Sequence, residues 1–153
     1  MPRTLSDDLL REVPILRSEQ SVGEAAQTLV EQGLPALPVV NEDGRYCGIF
    51  GEREFVAAVF PGYLGELGYA GFVPHSLDDD IEKRSAGLAD PVGKHCNSEH
   101  VDVDEDHSDA GLAETFLHHR VLIVPVVDSD RHVKGIVTRK DFFAALVGRL
   151  TAP

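Results

Sequence analysis

The chain carries one pattern twice. Displacing Val13 to Val59 by 87 positions lays it on His100 to Leu146: Pro38-Val39-Val40 falls on Pro125-Val126-Val127, Gly48-Ile49 on Gly135-Ile136, Phe55 on Phe142 and Ala57-Ala58 on Ala144-Ala145. Ser21 and Ser108, Ala26 and Ala113, and Thr28 and Thr115 keep the same shift without a gap. A unit this short cannot bury its own apolar face, so each copy has to pack against the other. The seam between them is where a ligand can sit.

The total of 153 residues fits one domain built from two half-sized lobes, and an apolar content of 42% is enough for a core. With 14 basic against 26 acidic residues the net charge is −12, which sets nucleic acid and acidic membrane surfaces aside as bulk partners. One bound nucleotide needs only a local positive field and stays open. Residues Met1 to Asp8 have no apolar signal core, and the apolar run Val121 to Val127 is too short to span a bilayer. A cytoplasmic protein with no membrane association is expected. Cys47 falls on Lys134 under the repeat shift rather than on a cysteine, so Cys47 and Cys96 read as two reduced, unrelated thiols.

Each copy opens with an extended stretch, followed by a helix that starts at Ser21 or Ser108, side chains suited to N-capping. Val22, Ala25, Ala26, Leu29 and Val30 form a helical stripe in the first, with Gly33 as a C-cap, and Leu112, Ala113, Phe116 and Leu117 form one in the second. Leu37 to Val40 and Val121 to Val127 are β-branched runs too short for helices and read as buried strands. The polar turns Asn41 to Gly44 and Asp128 to Arg131 return the chain into Tyr46 to Phe50 and Val133 to Val137. A last helix carries Phe55, Val56, Ala58 and Val59, or Phe142, Phe143, Ala145 and Leu146. The order is β-α-β-β-α, twice. The boundaries expected are residues 1–60 for the first repeat with its N-terminal extension, 61–91 for an insert, and 92–153 for the second repeat. In the insert, Ser76 and Asp78 to Asp80 ahead of Ile81 to Arg84 mark a helix start, and Tyr63, Leu64, Leu67, Tyr69, Phe72 and Val73 are too apolar for a free linker.

The tandem order, the Pro-Val-Val strand and the run Gly135-Ile136-Val137-Thr138-Arg139-Lys140-Asp141 together resemble the CBS domain family, whose pairs are called Bateman modules. The resemblance covers nearly all of the chain outside the insert and the ends. It implies an α/β fold of two repeats related by a pseudo-two-fold axis with a short helical insert. It also implies a regulatory role: an adenosine-containing molecule (AMP, ADP, ATP or S-adenosylmethionine) lodges between the repeats and a partner protein reads the result.

The residues fit that chemistry. A hydroxyl and a carboxylate three positions apart in a first helical turn lie on one side, where they can hold the two hydroxyls of a ribose. Arg139, Lys140 and the positive end of the helix favour phosphates. By resemblance Thr138 and Asp141 contact ribose, Arg139 and Lys140 contact phosphate, and the adenine slot is lined by Val103, Val121, Leu122 and Ile123. The same Thr-x-x-Asp pattern also describes a capping box, which would need no ligand. In the first copy Gly51 replaces Thr138 and Glu54 replaces Asp141, so at most one competent cleft per chain is expected.

Other patterns point away from chemistry. Asp102, Asp104 and Asp106 begin like a calcium loop, but His107 stands in place of its glycine and Ala113 in place of its last acid, so an edge strand is expected. His95, Cys96, His100 and His107 match no zinc spacing. No nucleophile elbow, P-loop or dinucleotide fingerprint occurs, so no enzyme, catalytic residue, metal or cofactor is expected beyond the regulatory ligand. Homodimerisation through the helices is implied by the resemblance, with Phe55, Val56, Phe142 and Phe143 as contacts or, equally, as core. The rival reading is a ligand-free interaction or scaffold module with the same fold, and a metal-dependent enzyme ranks last.

Overall fold

Both copies fold into the expected order, and the computed structural model describes residues 8–60 and 85–152. The first repeat comprises β1 (Leu16–Arg17), α1 (Val22–Gln32), β2 (Ala36–Val40), β3 (Tyr46–Gly51) and α2 (Glu52–Val59). The second comprises β4 (Val103–Asp104), α3 (Asp109–His118), β5 (Ile123–Val127), β6 (Val133–Thr138) and α4 (Arg139–Thr151). Each forms a three-stranded sheet in sequence order, with the first pair parallel and the second antiparallel. The register repeats with the sequence: Ala36 faces Gly51 as Ile123 faces Thr138, and a bulge at Val39/Val40 recurs at Val126/Val127.

Local chemistry explains the punctuation. Ser21 accepts a hydrogen bond from Glu24 N–H at 3.1 Å, and Ser108 accepts one from Gly111 N–H at 2.9 Å. Gly33 closes α1 in the left-handed conformation that a side chain disfavours. In the β2–β3 turn Asn41 Oδ1 accepts from the Asp43 and Arg45 amides, and in the β5–β6 turn Asp128 Oδ1 accepts from those of Asp130 and His132. The left-handed turn residue is Gly44 in one copy and Arg131 in the other, at φ 69°. The side chain at that costly position is held at both ends: Arg131 lies over the Tyr46 ring at 5.2 Å and pairs with Asp102 at 3.1 Å. Tyr46 belongs to the other repeat, so this turn also fastens the two halves, and Tyr46 N–H donates to the Arg131 carbonyl at 2.7 Å.

The repeats share one core. Ile123, Val127 and Ile136 cluster with Leu16, Leu37, Val39, Ile49 and Phe50. Val124, Val126 and Val137 turn the other way, onto Leu112 and Phe142 under the helices of the second repeat. Strands buried on both faces explain the unbroken β-branched runs, and each fully buried side chain of this size contributes about 1.5–3 kcal/mol. The helical stripes are narrower than the sequence suggests: Val22, Ala25 and Leu29 are buried, but Val30 and its equivalent Leu117 are 78% and 80% exposed. They lie at the edge of the stripe.

The described end of the insert, a 3-10 turn at Ser85–Ala89, packs on α1 and α2 of its own repeat, and Val92 behind it is fully buried. The helix start at residues 76–84 and the apolar residues from Tyr63 to Val73 lie outside the described residues. The two thiols are free, as expected, and each donates to a backbone carbonyl, Cys47 to that of Val39 at 3.4 Å and Cys96 to that of Gly93 at 3.7 Å. Burial, with Cys96 beside it, pushes the Cys47 thiol up to about 11. No described helix is long and apolar enough to cross a membrane.

Candidate functional site

The chain crosses over between the repeats before each one begins. Arg11 N–H donates to the Ile136 carbonyl at 2.8 Å and Ile136 N–H returns a bond to the Arg11 carbonyl at 3.0 Å. Asn97 and Ile49 make the same reciprocal pair at 2.8 and 3.1 Å. The approach is close enough to require glycine. A Cβ on Gly135 would lie 2.5 Å from the Arg11 carbonyl oxygen, and one on Gly48 would lie 2.5 Å from that of Asn97. Both glycines also have positive φ, 157° and 152°. The repeated Gly-Ile pairs are thus the points where the lead-in of one repeat docks on the last strand of the other.

Among the described residues this exchange makes two inter-repeat clefts. The larger, about 470 Å³, is lined by Thr138, Arg139, Lys140, Asp141, Leu122 and Phe143 of the second repeat and by Arg11, Gly33, Leu34 and Pro35 from the first. The other, about 250 Å³, is lined by Glu52, Arg53 and Glu54 of the first repeat together with His100, Arg120, Val121, Leu122 and Ile123 of the second. The acid-bearing helix start of each copy therefore faces the loop ahead of the middle strand of its sister.

The predicted site residues divide accordingly. Thr138, Arg139, Lys140, Asp141 and Leu122 share the larger cleft. Val121 and Ile123 line the smaller one beside Glu54, while Val103 sits in β4 opposite Val126 and lines neither. The apolar wall facing Thr138 is Leu34-Pro35 instead. The repeat shift carries a signal for this, because Pro35 is the counterpart of Leu122, but only the exchange of halves says which loop meets which acid.

Thr138 is 7% exposed and its Oγ1 accepts from Asp141 N–H at 3.1 Å, so the hydroxyl does cap α4. The reverse half of a capping box is missing: the Asp141 carboxylate turns out to Arg11, with Nη2 2.9 Å from Oδ2. In the first copy Glu54 Oε1 accepts from the Gly51 amide at 3.0 Å and is consumed by its own helix. A threonine has no room at position 51, since any Cβ would press on the Pro35 carbonyl and on Ala36. Not every helix-start donor is free, because Arg139 N–H is bound to the Leu122 carbonyl at 2.9 Å, as Glu52 N–H is to that of Pro35. The larger cleft thus carries three cations, one available carboxylate and an apolar wall. That set recognises an anionic ligand with vicinal hydroxyls and a flat apolar part.

Among the described residues the four zinc candidates do not converge. His95 pairs with Asp90 at 2.9 Å, His100 with the Ile123 carbonyl at 2.9 Å and His107 with the Asp104 carbonyl at 2.7 Å. Asp128, Asp130 and His132 do gather in the β5–β6 turn, but the Asp128 carboxylate there braces the turn's own amides.

Fold and clefts define a tandem-repeat module with ligand-sized spaces between its halves. The chain belongs to the CBS domain family: the family model matches residues 6–61 and 96–148, so the two repeats form a Bateman module, a regulatory unit. Similar solved structures include a CBS domain-containing protein of unknown function from Kribbella flavida (22% identity, TM-score 0.71, covering 95% of this chain and 99% of that one). Another is CBSX2 in complex with AMP (20% identity, TM-score 0.68, covering 94% and 96%). Among curated proteins, homoserine O-acetyltransferase of Methanosphaerula palustris is 25% identical over 150 residues, 97% of this chain and 25% of that protein. The chain spans about a quarter of the length of the first curated relatives it matches.

Proposed function

We propose that this chain is a regulatory sensor that binds an adenosine-containing molecule, an adenine nucleotide or S-adenosylmethionine, in the larger cleft and signals to a partner protein. The observation that carries this is Asp141: its carboxylate is left unspent by its own helix and faces, beside Thr138, a cleft of about 470 Å³. Ligand pockets ordinarily measure roughly 300–1,000 Å³. Ribose hydroxyls are held by Asp141 with Thr138 beside it, adenine lies against Leu34, Pro35 and Leu122, and the phosphate end meets Arg139 and Lys140. Support also comes from CBSX2, a structural neighbour solved with AMP. A ligand touching both repeats favours one relative arrangement of them, and the partner reads that arrangement.

The module acts as a homodimer through its helices. Phe143 and its repeat counterpart Val56 are 66% and 42% exposed, whereas Phe142 is buried against Phe116 with ring centroids 5.4 Å apart and Phe55 is half-buried in the core. Of the four aromatic and aliphatic candidates, Val56 and Phe143 are therefore the contacts.

Thermal shift and calorimetry with AMP, ADP, ATP and S-adenosylmethionine, run on wild type and Asp141→Ala, test the reading. At least one compound raises the melting temperature of the wild type, and the substitution abolishes the effect. If none does, the module is a ligand-free scaffold.

A further inference from the structure

Arg11 precedes the first repeat in sequence, yet its backbone and side chain are both bound to the second. Two hydrogen bonds with Ile136 fix its main chain to β6, and its guanidinium reaches Asp141 at 2.9 Å. Among the described residues the pseudo-symmetric cleft has no such pair. The structural counterpart of Arg11 is Asn97, which pairs with Ile49 as Arg11 does with Ile136, and Glu54 opposite is turned onto the Gly51 amide. Among the described residues, an ion pair between a lead-in cation and the acid of a helix start occurs in this cleft only.

Resting on the nucleotide reading above, we propose that Arg11 sets the ligand class of this cleft: it holds Asp141 until ribose displaces it and then turns to the 5′ phosphate, selecting phosphorylated adenosine over neutral adenosine and over a cationic sulfonium. The carboxylate has to give up the guanidinium, wholly or in part, to accept ribose hydroxyls. A ligand that breaks this pair must offer Arg11 a new anion or lose the exchange. The side chains of the pair are 47% and 31% exposed, so water screens it and the guanidinium is free to turn while its backbone stays anchored. The lining already holds Arg139 and Lys140. Once Asp141 faces the sugar, three cations share one end of the cleft with no anion of their own. A phosphate relieves that charge with bidentate geometry suited to arginine, neutral adenosine leaves it in place, and a sulfonium adds to it.

The test is calorimetry of AMP, adenosine and S-adenosylmethionine against wild type, Arg11→Ser, Arg11→Lys and Asp141→Ala, each checked for an unchanged circular dichroism spectrum. Wild type binds AMP at least about tenfold more tightly than the other two, in line with one charge-assisted contact at a partly screened site. Arg11→Ser, which removes the guanidinium and frees Asp141, weakens AMP and tightens adenosine, collapsing the preference. Arg11→Lys keeps the charge and most of the preference. An AMP-to-adenosine ratio unchanged in Arg11→Ser overturns the inference, as does equal binding of S-adenosylmethionine and AMP by wild type. If AMP binds and Asp141→Ala abolishes it while Arg11→Ser leaves the ratio intact, only the role of Arg11 falls. If no compound binds wild type, the nucleotide reading falls and takes this with it.

Discussion

Replacing Gly135 by alanine should undo the docking on which the larger cleft depends. The new methyl would lie 2.5 Å from the Arg11 carbonyl oxygen and 3.0 Å from Leu10 Cδ1, and it would sit on a backbone at φ 157° that L-residues avoid. Relief requires Arg11 to leave β6, which breaks two hydrogen bonds with Ile136 that contribute about 0.5–1.5 kcal/mol each. Retaining the docking instead costs backbone strain of about 1–3 kcal/mol. Against either stands a gain of about 0.4–1 kcal/mol from a stiffer unfolded chain. The net loss is about 1.3 kcal/mol, a fall in melting temperature of about 3–5 °C for a domain of this size. Gly148, inside α4 with nothing within 4 Å of an added Cβ, is the matched control, and alanine there should stabilise by about 0.5–1 kcal/mol. Calorimetric melting gives the energies, and hydrogen exchange at the Arg11 and Ile136 amides reports the docking itself. A Gly135→Ala protein melting within 1 °C of wild type, with Ile136 still protected, would show that the crossover is not held as described.

Phe142→Ala should cost about 3–5 kcal/mol, read by urea melts, because the ring is 5% exposed and stacked on Phe116; Phe143→Ala, 66% exposed, should leave the monomer fold intact and shift only the dimer equilibrium in sedimentation. Thr138→Val keeps the shape and removes the cap of α4, costing about 1 kcal/mol by the same melts. With the Cys47 thiol raised from 9 to about 11, its thiolate at pH 8 is roughly 100-fold scarcer than that of an ordinary thiol, so iodoacetamide labels it slowly in the folded protein and rapidly in urea. The linkage has a definite sign: a raised folded pKa favours the folded state below pH 9, and that contribution is lost as the pH climbs towards 11.

The duplication made the fold legible before any coordinates. Pro-Val-Val strands, serine caps and the spacing of 87 residues all recur, and strand register and turn bracing repeat with them. Local signals sufficed because each element is specified by side chains within a few positions of it. The cleft was legible only on one side. Thr138 to Asp141 announce themselves as a helix start, but their partners, Leu34, Pro35 and Arg11, come from the other repeat through a crossover that leaves no periodic trace. Assigning the apolar wall to Val103, Val121, Leu122 and Ile123 kept the site within one repeat, and of these Leu122 alone lines the larger cleft. The glycines at 48 and 135 were visible as a repeated pair, yet their reason, a backbone oxygen 2.5 Å from where a Cβ would stand, is a tertiary fact. Arg11 had no sequence signal at all, since nothing local marks one arginine as the counter-ion of an acid more than a hundred positions away. Val30 and Leu117 erred in the opposite direction: helical spacing placed them in the stripe, but they stand at its edge and are exposed.

The most direct test is a crystal structure of the chain grown with AMP. The ribose should lie on Asp141 beside Thr138, the adenine between Leu34-Pro35 and Leu122, and the Arg11 guanidinium should have left Asp141 for the phosphate. AMP bound beside Glu54 instead, or a larger cleft without nucleotide and the Arg11 to Asp141 pair intact at saturating AMP, would contradict the account.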